Sequence, residues 1–226
     1  ASPAGSATSD VVAPARMVVY KSPVGGDELR LHIFTPPGHD AATDARPACV
    51  FFFGGGWLSG NPSQFYPHCQ WFSQVRGMVA VSAEYRTRNS HGTDPFTCVA
   101  DGRSAMRWVR SHATELGVNP SRIAAGGGSA GGHVAAATAC CSTLNDEQDD
   151  KSIDPTPDAL LLFNPVYDNG PAEGDLKVEG YGYERVADRW SEISPLHIIE
   201  SAPAGARPPP PTLVLFGEGD PLVPVP

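Results

Sequence analysis

The sequence is short of charged residues, long apolar runs and metal-ligand patterns, and each shortage excludes a class of protein. Charged residues make up only 18% of the 226 positions, with 16 Lys and Arg against 25 Asp and Glu. The resulting net charge of −9 disfavours nucleic acids and anionic membranes as partners, because both require a basic surface. No run of ~20 apolar residues occurs, so no membrane span is expected.

Cysteine is scarce, and its spacing indicates no metal site. No C-x-x-C or Cys/His pattern is present, so we predict neither a metal nor another cofactor. The five cysteines are Cys49, Cys69, Cys98, Cys140 and Cys141. A disulfide between Cys69 and Cys98 is one possibility, and burial of both as small apolar side chains is the alternative. The compartment and the oligomeric state therefore stay open.

The chain is long enough for one large α/β domain with a substantial core. Its first nine residues are small and polar, and they lack the charged and apolar regions of a signal peptide. We expect a flexible leader over residues 1–15 and a single domain over residues 16–226.

Apolar segments alternate with helical patterns along that domain. Alternating residues at 17–21 and 29–34 predict an antiparallel pair at a sheet edge. Continuous apolar runs predict buried strands at 48–53, 78–83, 123–126, 159–163 and 211–216. Helices are predicted over 67–76, 95–117 and 133–140. This βαβ spacing predicts a mostly parallel central sheet with helices on both faces.

A G-x-S-x-G motif centred on Ser129 lies between a predicted strand and a predicted helix. A turn of this kind is sharp, so it needs small neighbours and places the serine hydroxyl above the sheet. The helix N-terminus next to it favours developing negative charge. We therefore interpret Ser129 as a nucleophile, with a structural glycine turn as the alternative.

Three glycines follow the strand at 48–53, before Trp57. Glycines at a strand end allow backbone N–H groups to face a ligand. We predict an oxyanion hole formed by the N–H groups of Gly55, Gly56 and Ala130. Trp57 and the nearby Phe65 and Tyr66 are predicted to form a stacking wall for substrate, and core packing is the alternative for each.

An acidic turn follows the strand at 211–216. Asp220 is the predicted orienting carboxylate, because an acid just past a buried strand lies at the carboxyl edge of the sheet. Glu218 is its local rival, and a capping role is the alternative for Asp220.

Taken together, these motifs resemble the α/β-hydrolase superfamily, in the esterase/lipase branch with a Gly-Gly-Gly oxyanion motif. The chain is most similar to small bacterial acetyl and carbohydrate esterases. The matching segments are 54–57, 84–86, 127–132 and 217–223. The resemblance implies the order Ser, Asp, His for the catalytic residues, with Ser129 and Asp220 as the first two.

The chain departs from this pattern twice. Phe53 stands where the family has a histidine before the glycines, so we expect the glycine loop to be packed differently. No histidine follows Asp220, and we expect the chain to be C-terminally incomplete, without the last strand, the general-base histidine and the final helix. His133, four residues after Ser129, is expected to pack or to form a hydrogen bond, and His197 is a candidate for a place near the site. His68 and His91 follow the strands that bear the glycine loop and Glu84, so both can lie on the same side of the sheet as Ser129.

The expected function is that of a serine carboxylesterase that hydrolyses short-acyl esters through an acyl-enzyme. The connection between residues 164 and 211, about 45 residues long, leaves little material for a large cap. An open cleft suits acetylated or feruloylated carbohydrates, so the expected partner is a small-molecule or carbohydrate ester. A catalytically inactive binding protein and a peptidase of the same fold are the alternatives.

Overall fold

The computed structural model describes residues 12–172 and 179–220. Its centre is a seven-stranded sheet with the spatial order β1-β2-β4-β3-β5-β6-β7. The strands are β1 (Arg16–Lys21), β2 (Leu29–Phe34), β3 (Arg46–Phe52), β4 (Val79–Ala83), β5 (Val118–Gly128), β6 (Ala159–Phe163) and β7 (Thr212–Leu215). β1 and β2 are antiparallel, and the remaining strands are parallel to one another. The predicted α/β-hydrolase sheet, with its antiparallel edge, is confirmed. The burial predicted for the strand at 211–216 is wrong for the described structure, because all four residues of β7 are exposed at the edge of the described sheet.

The strands in the middle of the sheet are buried because their residues are apolar on both faces. Every residue of β4 is buried, as are the last five residues of β3. Side chains from β2, β3, β4 and β5 form one continuous apolar core. The core supports the carboxyl ends of β3 and β5, which lie side by side because Phe52 pairs with Gly127.

Five α-helices connect these strands: α1 (Tyr66–Arg76), α2 (Arg88–His91), α3 (Pro95–Ser111), α4 (Ala130–Cys140) and α5 (Pro195–Glu200). α1 packs on β4, whereas α3 and α4 pack on each other and on β5. The predicted N-terminus of α3 is confirmed, since the Asp94 side chain accepts a hydrogen bond of 2.8 Å from the Thr97 N–H.

Two predicted helix boundaries differ from the structure. α3 ends at Ser111, and the residues up to Gly117 form turns, ending with a left-handed Gly117 at φ +60°. α4 begins at Ala130, three residues before its predicted start. Gly131 and Gly132 are poor helix formers, but both are buried in the first turn, and tertiary packing outweighs their propensity.

The connection between β6 and β7 contains short 3₁₀ helices at Tyr183–Arg185 and Ala187–Glu192, followed by α5. No helix in the described part of the chain is both long enough and apolar enough to span a bilayer.

All five cysteines are free thiols, so Cys69 and Cys98 are not bridged. Both are buried, as the alternative to a disulfide predicted.

The predicted leader is only partly described, because residues 1–11 lie outside the described residues. Val12 packs against the core, and the Ala15 N–H donates a 2.8 Å hydrogen bond to the Ile33 carbonyl. Residues 12–15 are therefore attached to the domain.

Candidate active site

Ser129 lies in a strained turn between β5 and α4. Its φ of 53° and ψ of −122° place a non-glycine residue in a region that L-amino acids rarely adopt. Its N–H donates to the Phe163 carbonyl at 3.0 Å, while its carbonyl accepts from the His133 N–H at 3.0 Å. These bonds hold the backbone of Ser129 between the end of β6 and the first turn of α4, and strain of this kind is concentrated at functional sites.

The glycines around Ser129 allow three backbone segments to approach one another. A Cβ on Gly131 would collide with the carbonyl oxygens of Phe52 and Phe53, so α4 begins against the end of β3. A Cβ on Gly54 would lie 2.8 Å from the Gly128 carbonyl oxygen and 3.4 Å from the Ser129 Cβ. The glycine loop after β3 therefore runs directly beside the serine.

The glycine loop adopts positive φ angles at three consecutive residues: 135° at Gly55, 63° at Gly56 and 61° at Trp57. The Gly55 carbonyl accepts hydrogen bonds from Leu58 and Ser59, at 3.0 and 3.2 Å. Because the two groups of a planar trans peptide point in opposite directions, this contact turns the Gly56 N–H away from Leu58 and Ser59.

Within residues 12–172 and 179–220, the N–H groups of Gly55, Gly56 and Ala130 have no hydrogen-bond acceptor. The N–H of Gly54, in contrast, donates to Gln64 Oε1 at 2.5 Å. The three N–H groups predicted for an oxyanion hole are thus all available to a ligand.

A pocket of about 290 Å³ opens beside Ser129. Two aromatic rings, Phe65 and Phe163, form its apolar wall, and their centroids are 6.0 Å apart. The other lining residues are Gly54, Gly55, Gln64, His68, Gly128, Ser129 and Asn164. A larger cavity of about 660 Å³, between the N-terminal end of β2 and residues 84–91, does not include Ser129.

The predicted stacking wall requires two corrections. Trp57 is only 2% exposed, since its ring packs edge-on against His133 and under Tyr181. Tyr66 packs against Phe34, and its hydroxyl lies 2.6 Å from His32 Nδ1. Neither ring lines the pocket beside Ser129, because the core and β2 provide better contacts for them.

Phe53 explains how the glycine loop is held without the histidine of the family motif. Its ring stacks on Tyr85, with centroids 4.1 Å apart, and the Tyr85 hydroxyl donates to the Phe53 carbonyl at 2.6 Å. Aromatic packing therefore organises the start of the loop in this chain.

The predicted carboxylate, Asp220, follows the carboxyl end of β7, which pairs with β6 next to the serine strand. It is half-buried, and its N–H donates to the Gly217 carbonyl at 3.1 Å. The rival Glu218 is exposed. The assignment of Asp220 stays a prediction.

Most of the histidines belong to local structure. His32 contacts Glu84 Oε1 through Nε2 at 3.0 Å, His39 contacts Asp44 at 2.9 Å, and His112 stacks on Trp108. The His91 ring accepts from the Thr87 N–H, and His197 Nδ1 lies 2.8 Å from Ser194 Oγ. The expected packing and hydrogen bonding of His133 are both observed.

His68 differs from these residues, since it lines the pocket beside Ser129. Its ring lies 4.9 Å from that of Phe65 and 5.2 Å from that of Phe163, and Nδ1 is buried without a partner among the described residues. Burial lowers the pKa of His68 below its usual 6.5. The sequence signal for His68 is its place after the strand that bears the glycine loop, which allows it to lie on this side of the sheet. No sequence signal indicated Gln64, Phe163 or Asn164.

The chain matches known proteins over much of its length. The model of the BD-FAE family covers residues 31–169, more than half of the chain. The structure superimposes on esterase 2 of Thermogutta terrifontis with a TM-score of 0.82 and 42% sequence identity, over 94% of this chain and 75% of that one.

Two curated relatives match a shorter stretch. Carboxylesterase NlhH of Mycobacterium tuberculosis is 34% identical over 101 residues, which are 44% of this chain and 30% of that protein. Chlorogenic acid esterase of Aspergillus niger is 32% identical over 112 residues, covering 44% of this chain and 22% of its own length. The matched part thus spans less than a third of these relatives. The family match and the structural likeness agree, and the chain belongs to the BD-FAE family, within the esterase branch of the α/β-hydrolase superfamily.

Proposed function

We propose that the protein is a carboxylic ester hydrolase that forms an acyl-enzyme on Ser129. The observation that carries this proposal is the position of Ser129: a strained residue at the N-terminus of α4, beside glycine-loop N–H groups that have no acceptor in the described structure. A nucleophile next to preorganised donors is the arrangement that acyl transfer requires.

In the proposed reaction, Ser129 Oγ attacks the ester carbonyl carbon and gives its proton to the imidazole of a general-base histidine. The family resemblance implies that this histidine follows Asp220 in the order of the catalytic residues. The N–H groups of Gly55, Gly56 and Ala130 hold the carbonyl oxygen as it becomes negatively charged. The carbon–oxygen bond to the alcohol then breaks, and the alcohol leaves with the proton. Water hydrolyses the acyl-serine by the same steps, and Asp220 orients the imidazole.

The size of the pocket supports a short or planar acyl group. Its volume of about 290 Å³ and its two phenylalanine rings suit an acetyl or a feruloyl group, with the alcohol in the open part of the cleft. Solved forms of Thermogutta terrifontis esterase 2 are described as bound to butyrate and to propionate, and one relative is a chlorogenic acid esterase. We therefore propose acetylated or feruloylated carbohydrates as the substrate class.

Steady-state assays with p-nitrophenyl acetate, acetylated xylan and a feruloylated arabinoside would test the proposal. The 226-residue chain and any longer product of its reading frame should be compared, since the hydrogen bonds of the histidines in the described residues all go to partners other than Ser129 Oγ. We expect ester hydrolysis in at least one of them. Ser129→Ala should lower kcat about 10⁴-fold or more, because the nucleophile is absent.

The matched control is Ser142→Ala, which removes a serine hydroxyl just after α4 and should leave the rate unchanged. A fluorophosphonate probe should label Ser129 and no other serine. Labelling elsewhere would overturn the site, and inactivity of both proteins with no labelling would support the binding-protein alternative.

A further inference from the structure

Trp57 has a backbone conformation that is unfavourable for its residue type. Its φ is +61°, yet the side chain is only 2% exposed. Glycine would adopt this conformation without steric cost, as Gly55 and Gly56 do just before it. The presence of a buried tryptophan at such a position indicates that its side chain makes a contact that glycine could not make.

That contact is a hydrogen bond to the helix that follows Ser129. Trp57 Nε1 lies 3.3 Å from His133 Nδ1, and the two rings meet edge to face at 5.1 Å. An indole N–H can only donate, so Nδ1 of His133 accepts. The imidazole proton is therefore on Nε2, which donates to the Ile193 carbonyl at 2.9 Å.

His133 is itself attached to the serine. Its backbone N–H donates to the Ser129 carbonyl at 3.0 Å, and its side chain is fully buried. The glycine loop and the serine are thus the two ends of one hydrogen-bonded path, which runs through the Trp57 indole and the His133 imidazole.

Other contacts hold the glycine loop from different directions. Arg185 Nη1 donates to the Gly56 carbonyl at 2.7 Å, and the Trp57 carbonyl accepts from the Arg88 N–H at 3.0 Å. These bonds attach the loop to the connection after β6 and to α2. The Trp57 indole attaches the glycine loop to α4, and it therefore fixes the position of the loop relative to Ser129, which immediately precedes that helix.

We propose that the Trp57–His133 hydrogen bond is a positioning contact that sets the separation between the glycine N–H groups and Ser129 Oγ. The inference rests on the proposed function and adds two residues to it. Neither side chain touches the reacting atoms. Both act through the backbone of the elements that carry them, where a misplacement of about 1 Å can lower a rate about 100-fold.

Three variants of the full-length protein separate this role from simple packing. Trp57→Phe keeps an aromatic ring and removes the N–H donor. His133→Leu removes the acceptor, while His133→Asn restores an acceptor near the position of Nδ1 and abandons Ile193. Trp71→Phe, on α1 with 49% of its side chain exposed, is the matched control.

We expect Trp57→Phe and His133→Leu each to lower kcat about 10- to 100-fold with KM changed less than about 3-fold, since the lost interaction serves the transition state. His133→Asn should recover most of the rate, and the double variant Trp57→Phe/His133→Leu should be no slower than the slower single variant. Trp71→Phe should match the wild type.

Hydrogen exchange followed by mass spectrometry gives a readout that needs no activity. The amides of Gly54, Leu58 and Ser59 are hydrogen-bonded, so they report whether the loop is held. Exchange at 53–60 should rise several-fold in Trp57→Phe and His133→Leu, but not in His133→Asn.

Unchanged kcat in Trp57→Phe, or equal losses in His133→Leu and His133→Asn, would overturn the inference. If Trp57→Phe does not fold, the two His133 variants decide between these outcomes. If the wild type hydrolyses no ester, the proposed function fails, and exchange alone decides whether the contact positions the loop: unchanged exchange at 53–60 in His133→Leu would refute it.

Discussion

At the scale of single residues, His133 shows how a side chain close to Ser129 can be excluded from acid–base chemistry. Its ring is fully buried, and both nitrogens are engaged, with Trp57 and with the Ile193 carbonyl. Burial lowers its pKa from 6.5 to about 4. The imidazole is therefore neutral at neutral pH and is committed to structure.

This shift predicts a pH-dependent stability. The unfolded chain binds a proton at His133 below pH 6.5, and the folded protein does so only near pH 4. The stabilisation from neutral His133 is complete above pH 6.5 and is lost as the pH falls toward 4, by about 3 kcal/mol in the free energy of unfolding. Urea denaturation at pH 7 and pH 4 would measure it.

His133→Asn is the control for that experiment, because asparagine keeps a polar group and does not titrate. Its loss of stability between the two pH values should be smaller than that of the wild type by about 3 kcal/mol. Equal losses in both proteins would show that His133 does not contribute.

Gly131 provides a second prediction at this scale. A Cβ at this position would meet the carbonyl oxygens of Phe52 and Phe53, which belong to backbone that is fixed within the sheet and the loop after it. We expect Gly131→Ala to lower the free energy of unfolding by about 3 kcal/mol, as overpacking in a core does. Urea denaturation would measure the loss.

Gly26→Ala is the matched control, since its added Cβ would find only Pro23, at 3.5 Å. That variant should unfold within about 0.5 kcal/mol of the wild type. A Gly131→Ala protein as stable as Gly26→Ala would contradict the close approach of α4 and β3.

At the scale of elements, the segment 84–86 was noticed in the sequence as a family match, and its role is structural. The Glu84 carbonyl accepts from the Tyr20 hydroxyl, and the Tyr85 hydroxyl donates to the Phe53 carbonyl. Arg86 binds Asp101 on α3 at 2.7 and 2.8 Å. The segment therefore joins β1, the glycine loop and α3.

Replacing Asp101 would measure how much this junction contributes to the free energy of unfolding. Its carboxylate has no exposed surface and accepts from Lys21 Nζ at 2.7 Å as well as from Arg86. Asp101→Asn would remove the buried counter-charge of Lys21 and Arg86 and leave them only Asp146, which is 20% exposed and lies 2.7 Å from Lys21 Nζ and 3.4 Å from Arg86 Nη2. We expect the variant to lower the free energy of unfolding by about 3 kcal/mol, measured by urea denaturation.

Glu28→Gln is the comparison, because Glu28 and Arg30 form an exposed ion pair, with side chains 51% and 43% exposed. The change there should be below about 1 kcal/mol. Comparable losses in both variants would indicate that burial does not set the cost.

At the scale of the whole molecule, β7 forms an edge of the described sheet and is unusually apolar for one. Leu213, Val214, Leu215 and Phe216 are 56%, 42%, 47% and 38% exposed. Apolar edge strands recruit other strands, since their backbone groups are unpaired on one side. We expect the 226-residue chain to self-associate through β7, and light scattering across a concentration series would detect it.

Leu213→Lys should shift that association toward monomer, since a charge on an edge strand opposes strand pairing. Val24→Lys is the control, because Val24 is 90% exposed in the turn between β1 and β2. A chain that stays monomeric at all concentrations, or a Leu213→Lys protein that associates equally, would contradict the prediction.

Local patterns were sufficient to predict the sheet, the order of its elements and the turn around Ser129. An apolar run such as 48–53 favours a buried strand, and G-x-S-x-G between a strand and a helix leaves few alternatives for the backbone. Residues that are close together along the chain determine these features, so the sequence alone is enough to predict them.

The roles of Trp57, Tyr66 and His68 depended instead on contacts between distant segments. Trp57 is 76 residues from His133, and Tyr66 is 34 residues from His32. An aromatic residue near a glycine loop can face either the pocket or the core, and the choice depends on which partners the fold brings within reach. Packing turned Trp57 and Tyr66 away from the pocket beside Ser129 and placed Phe65, His68 and Phe163 around it.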